Sequence, residues 1–201
     1  MRLAAIGTAI ALVAGSATAS DVLLGNLPST FGTTGSVGLT QTRSKAVSFT
    51  IPAGPGYTFD SLTLALASLD VGETAFGNIV ASDGTLDPTN TVLSTVTFDG
   101  DGTVGAFTGT PSTPFTFIGG ETYWLVVGGL NQGDSITWTR AQPDITPTGL
   151  ADFGTYRFRA STTWSNSSQF NNFVIEGTLV PAPVSASLLG LGGLVAARRR
   201  R

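Results

Sequence analysis

The chain has 201 residues, no cysteine and no histidine, and a formal charge of −3 from ten bases and thirteen acids. The missing Cys and His exclude zinc sites of the usual kind, Ser-His-Asp triads and Cys-His nucleophiles, and leave apolar burial rather than disulfides to hold the fold. Five bases (Arg2 and Arg198–Arg201) are terminal, so the body sets five bases against all thirteen acids, a charge of −8 that repels phosphate backbones and argues against nucleic-acid binding.

In chain order, the N-terminus reads as a secretory signal. Arg2 supplies the positive start, residues 3–14 the apolar stretch, and Ala17-Thr18-Ala19 a small-x-small cleavage site before Ser20. Residues 1–19 are thus expected to be removed by the secretion machinery. Residues 20–179 are one domain's worth of chain.

Within that domain, helix formers are scarce, while Thr, Val, Phe, Gly and Ser abound. Ser61-Leu62-Thr63-Leu64-Ala65-Leu66 alternates with period two and puts three leucines on one face of a strand. Further strands are predicted over 75–82, 91–98, 115–118, 122–127, 135–140, 155–160 and 171–179, punctuated by Gly, Pro, Asp and Asn turns. About eight to ten such strands predict an all-β, antiparallel β-sandwich, jelly-roll-like. Tyr123-Trp124-Leu125-Val126-Val127 is apolar on both faces, the mark of a central strand.

Candidate sites are few. Asp99-Gly100-Asp101-Gly102 offers carboxylates to calcium, but counting from Asp99 puts Thr110 where an EF-hand needs Glu, so a polar hairpin turn is the first reading. A metal site or other cofactor is not expected. The three glutamates, Glu73, Glu121 and Glu176, are the material for a carboxylate-pair hydrolase, though nothing in the spacing joins them. Trp138, Tyr156 and Trp164, with Asn166 and neighbouring amides, have the composition of a sugar-stacking platform. Core aromatics are the plainer reading.

The last residues form a tripartite tail. Val180-Pro181-Ala182-Pro183 is followed by an apolar run over 184–197 and by Arg198, Arg199, Arg200 and Arg201. Fourteen residues of helix span roughly 21 Å, short of a ~30 Å hydrocarbon core, which suits a transient inner-membrane anchor with its arginines on the cytoplasmic side. Motif, apolar run and Arg cluster together resemble the PEP-CTERM sorting signals of bacteria. Ala182 stands where that family usually has Glu. The resemblance implies processing by an exosortase-like membrane protease and delivery to the cell surface or extracellular matrix.

Gly119-Gly120-Glu121-Thr122-Tyr123-Trp124, with Ser48-Phe49-Thr50 and Thr91-Val92-Leu93 ahead of it, resembles the choice-of-anchor domains of bacterial surface proteins, type R in particular. That resemblance implies an exported sandwich and carries no active residue. The expectation is a non-enzymatic structural or adhesive protein touching extracellular polysaccharide. The alternative is a carbohydrate-binding module, and a secreted hydrolase comes third.

Overall fold

The alternating leucines belong to the longest of thirteen strands in the computed structural model, which describes residues 19–27 and 37–181. In chain order these are β1 (Asp21–Gly25), β2 (Val37–Leu39), β3 (Arg43–Thr50), β4 (Tyr57–Ser68), β5 (Thr74–Ala81), β6 (Val92–Asp99) and β7 (Gly105–Gly109). They continue as β8 (Thr116–Phe117), β9 (Thr122–Gly129), β10 (Ile136–Trp138), β11 (Asp152–Ala160), β12 (Thr163–Ser167) and β13 (Phe173–Leu179). No helix occurs among the described residues. The helices expected at the two ends, the signal segment and the tail from Ala182 onward, lie outside them.

Two antiparallel sheets result. One runs β1-β13-β4-β10-β2, with β7 and β8 also paired to β4, and the other runs β12-β11-β3-β9-β5-β6. The chain crosses between sheets eight times, at β2 to β3, β3 to β4, β4 to β5, β6 to β7, β8 to β9, β9 to β10, β10 to β11 and β12 to β13, and the first strand lies beside the last. The result is an antiparallel β-sandwich. The β11–β12 hairpin is an addition outside β3.

Packing follows the side-chain alternation. Leu62, Leu64 and Leu66 are buried between the sheets with Phe49, Phe59, Phe117, Trp138 and Phe173. Phe117 sits edge-on to Phe49, Phe115 and Tyr123, with ring centroids 5.1–5.7 Å apart, the arrangement that ring quadrupoles favour. β9 lies between β3 and β5, the central place that its two apolar faces predict. Its inner residues Tyr123, Leu125 and Val127 join the main core. Its outer residues Trp124 and Val126 join Ala46 and Val80 in a smaller cluster on the far side of the sheet.

β13 and β10 meet end to end along β4, and the break leaves backbone groups to satisfy. Ala65 donates to the Asn172 carbonyl (3.1 Å) and accepts from the Thr139 N–H (2.9 Å). Buried amides complete the join. Asn171 Nδ2 donates to the Trp138 carbonyl (2.6 Å), Asn172 Nδ2 to the Asn26 carbonyl (3.0 Å), and Asn26 Oδ1 accepts from the Phe173 N–H (3.0 Å). Asn26 Nδ2 also donates to the Ile145 carbonyl (2.9 Å). Asn26→Ala strands a buried N–H and a carbonyl, so urea unfolding should show a loss of about 2–3 kcal/mol. A loss below about 0.5 kcal/mol would mean that water replaces the amide.

Candidate functional site

The structure corrects the aromatic platform. Trp138 and Tyr156 are both 0% exposed. Trp138 Nε1–H donates to the Asn172 carbonyl (2.8 Å) and the Tyr156 hydroxyl to the Asn171 carbonyl (2.8 Å), so both rings belong to the join just described. Their apolar faces complete the core, and no sugar reaches them. Trp164 and Asn166, the other two members, lie on the half-exposed hairpin strand β12. What surrounds them is basic rather than aromatic.

Four of the five bases of the described residues lie on the adjacent strands β3 and β11, Arg43 and Lys45 on the inner face of the sheet and Arg157 and Arg159 on its outer face. In the β3–β11 register Arg43 faces Ala160, Ser44 faces Arg159, Lys45 faces Phe158 and Ala46 faces Arg157. Arg140 joins them through its bridge to Asn171 and lowers the Lys45 pKa by its charge. Two of the five are neutralised, Arg140 by Asp144 (3.3 Å) and Arg157 by Asp87. Arg157 Nε donates to Asp87 at 2.8 Å and its Nη1 to Asn166.

Arg43, Lys45 and Arg159 have no carboxylate partner among the described residues. Each lies over a ring instead: Arg43 over Phe158 (5.6 Å), Lys45 over Tyr156 (5.4 Å) and Arg159 over Trp164 (5.1 Å). Arg159 Nη2 donates to Ser44 Oγ (3.1 Å), while its buried Nε has no partner. Lys45 is fully enclosed, and Nζ donates to the Gln169 carbonyl (2.7 Å). Burial, and after it the Arg140 charge, push its pKa down to about 7, with Asp144 opposing both. A pocket of about 350 Å³ opens here, with Arg43, Lys45 and Phe158 on one side and Asn166, Ser167, Ser168 and Gln169 on the other.

A second pocket of about 300 Å³ lies on the outer face of the six-stranded sheet, lined by Ser48, Thr122, Trp124 and Thr155, with Glu121 at one end and the 82–86 loop above. The indole N–H of Trp124 is buried and unpaired among the described residues. The Asp87–Arg157 pair fastens the loop that closes this pocket.

The remaining candidates are engaged locally. Asp101 Oδ1 accepts from the Thr103 hydroxyl (2.6 Å) and N–H (2.9 Å), which holds its carboxyl below the usual range. Asp99 Oδ1 accepts from the Thr74 hydroxyl (3.3 Å). A Cβ added to Gly100 would lie 1.9 Å from the Asp70 carbonyl, and Gly102 has φ +77°, so this segment is a turn that only glycine fits. No cluster of three acids occurs among the described residues. Glu73 accepts from the Asp70 and Ser135 N–H groups (3.0 Å each) and Glu176 from the Ser61 hydroxyl (2.6 Å), while Glu121 borders the second pocket.

Sequence reasoning missed Arg43, Lys45 and Phe158 of the first pocket. Their signal was the alternation Arg43-x-Lys45 and Tyr156-x-Phe158, two stretches whose pairing only the fold reveals. No protein-family model matches the chain, and no curated protein matches it.

Proposed function

We propose that the protein is an exported, non-enzymatic β-sandwich of the cell surface or extracellular matrix, delivered by a cleaved N-terminal signal and a PEP-CTERM-like tail. Its role is structural or adhesive. The observation that carries this reading is where the chain leaves the fold. β13 ends at Leu179, the Val180 N–H makes a last bond to the Gly56 carbonyl (2.9 Å), and Pro181 is exposed. The proline motif therefore begins at the surface, in reach of an exosortase-like protease, immediately after the final sheet contact. Mass spectrometry of the native protein should find a start at Ser20 or a near neighbour and no peptide beyond about Pro183. Surface material that retains Arg198–Arg201 overturns the reading.

A carbohydrate-binding module is the second reading, favoured by the pocket between β3 and the β11–β12 hairpin, where amides, hydroxyls and a ring edge surround one opening. The hydrolase reading has no such support, since Glu73 and Glu176 serve separate structural bonds.

A further inference from the structure

The geometry points to the second pocket, on the outer face of the six-stranded sheet, as a binding site for one unit of a neutral sugar, with Trp124, Thr122, Ser48 and Thr155 as its floor. The inference goes beyond the structural role proposed above and does not depend on how the chain is delivered.

Three observations carry it. First, the floor spans three adjacent strands and is shaped by a β-bulge. Ser48 of β3 pairs with Trp124 of β9 and Thr50 with Thr122, and these side chains share the outer face. In β11, Phe153 pairs with Phe49 and Tyr156 with Val47, so Gly154 and Thr155 together oppose Ser48. Ser48 Oγ accepts the Thr155 N–H (2.9 Å), and the bulge brings Thr155 to the pocket. Second, Trp124 lines the pocket and is 2% exposed, and its enclosed indole N–H has no acceptor among the described residues. A buried donor without a partner costs free energy that a ligand oxygen would restore. Third, the loop above the floor is held in shape. Asp83 Oδ1 accepts from the Thr85 N–H (2.9 Å) and hydroxyl (2.6 Å), Thr89 donates to the Ala81 carbonyl (2.8 Å), and Asp87 holds Arg157. Leu86, 73% exposed, is thereby presented at the opening.

The chemistry of the lining narrows the class. The indole N–H needs an acceptor, which an ammonium group cannot supply. No base lines the pocket, and Arg157 nearby is taken by Asp87, so an anion meets no counter-charge. The Thr50 and Thr122 hydroxyls share one bond (2.8 Å), which leaves one hydrogen between them to donate. A sugar hydroxyl accepts from the indole and donates or accepts among the Ser and Thr oxygens, while the C–H face of the ring meets Leu86. A volume of about 300 Å³ is the lower limit for ligand pockets and suits one sugar unit.

Nitrogen-correlated proton NMR of the purified protein tests the site. The three tryptophans give three indole N–H signals. Trp124→Phe identifies the one from the pocket, and Trp138→Phe with Trp164→Phe identifies it again by elimination. Titration with methyl β-glucoside or methyl β-galactoside should move the Trp124 signal downfield and leave the Trp138 signal in place. The expected dissociation constant is on the order of 1 mM, as befits one small ligand in an open pocket. Thr155→Val removes a hydroxyl and keeps the backbone bond to Ser48, so binding should weaken about tenfold with the unfolding midpoint within the range of surface variants.

A Trp124 signal that stays in place at tens of millimolar of both sugars overturns the proposal and leaves the indole donor to a trapped water. So does an equal shift with gluconate or N-methylacetamide, which would make the pocket a site for any small acceptor. Sugar-induced shifts confined to the Trp164 indole and the Asn166 amide overturn it as well, since they assign the sugar to the pocket beside the β11–β12 hairpin. Correct terminal processing together with an unmoved Trp124 signal leaves the exported reading standing and removes only this site.

Discussion

Replacing Trp138 with alanine should remove about 4 kcal/mol of stability. Trp138 is fully enclosed, meets Phe173 edge-on at 6.3 Å, and donates from the middle of the polar join to the Asn172 carbonyl. Alanine empties a ring-sized volume where two strand ends and β4 converge, and close-packed neighbours relax into it only in part. Trp138→Phe keeps most of the volume and forfeits the N–H bond, an expected loss of about 1–2 kcal/mol. Domains of this size are stable by roughly 5–15 kcal/mol, so the alanine variant should unfold at much lower urea with the slope unchanged. If both variants unfold within about 0.5 kcal/mol of the wild type, Trp138 is not the packing centre that its burial implies.

Stability should rise as pH climbs from about 7 to about 10. The folded-state pKa of Lys45 is about 7, against 10.5 for an ordinary lysine. Below pH 7 both folded and unfolded chains carry the proton, and the fold bears the cost of an enclosed charge. Between 7 and 10.5 the unfolded chain holds more protons than the folded one, so stability increases with pH. At roughly 1.4 kcal/mol per pH unit the rise is on the order of 4 kcal/mol.

Tyr156 closes the window from above. Burial raises its pKa well beyond the usual value, so the unfolded chain alone loses that proton above about pH 10, and stability falls again. The maximum is therefore expected near pH 9–10, higher than for most domains. Urea midpoints from pH 5 to 11 test this, and Lys45→Met should flatten the rising limb. A wild-type curve already flat from 7 to 10 would mean that the Gln169 carbonyl and the Tyr156 ring keep the ammonium charged.

The fold was legible wherever the alternation was local. Ser61 to Leu66 announced its buried face, and Tyr123 to Val127 announced a strand covered on both sides. β3 was hidden because Arg43, Ser44, Lys45 and Ser48 break its apolar pattern, although every residue from Ser44 to Phe49 is buried. Ser44 and Ser48 are satisfied by Arg159 and Thr155 of β11 and Lys45 by the Gln169 carbonyl, all more than a hundred residues away. β12 was hidden because Thr163-Trp164-Ser165-Asn166-Ser167 carries no hydrophobic alternation, which an edge strand does not need. The 115–118 segment shrinks to the two residues of β8, although the Phe115 carbonyl still accepts from the Phe59 N–H (2.8 Å).

The site was legible in part. Trp164 and Asn166 do sit on an open hairpin, but Trp138 and Tyr156 beside asparagines gave a false platform. Those amides serve a seam in the sheet whose halves are separated in sequence by more than thirty residues. Charge counting found the acidic body and passed over the placing of four of its bases on the neighbouring strands β3 and β11, because a count has no positions.

The place of β13 has a temporal consequence. It is the final strand of the described chain, yet it sits between β1 and β4, in contact with the earliest strand and the longest. A chain that leaves the ribosome N-terminus first keeps that slot vacant until residues 173–179 emerge. The sandwich therefore closes only when its last strand arrives. A product truncated before Phe173 exposes two facing rows of unmatched N–H and C=O groups, ready to capture any extended segment nearby.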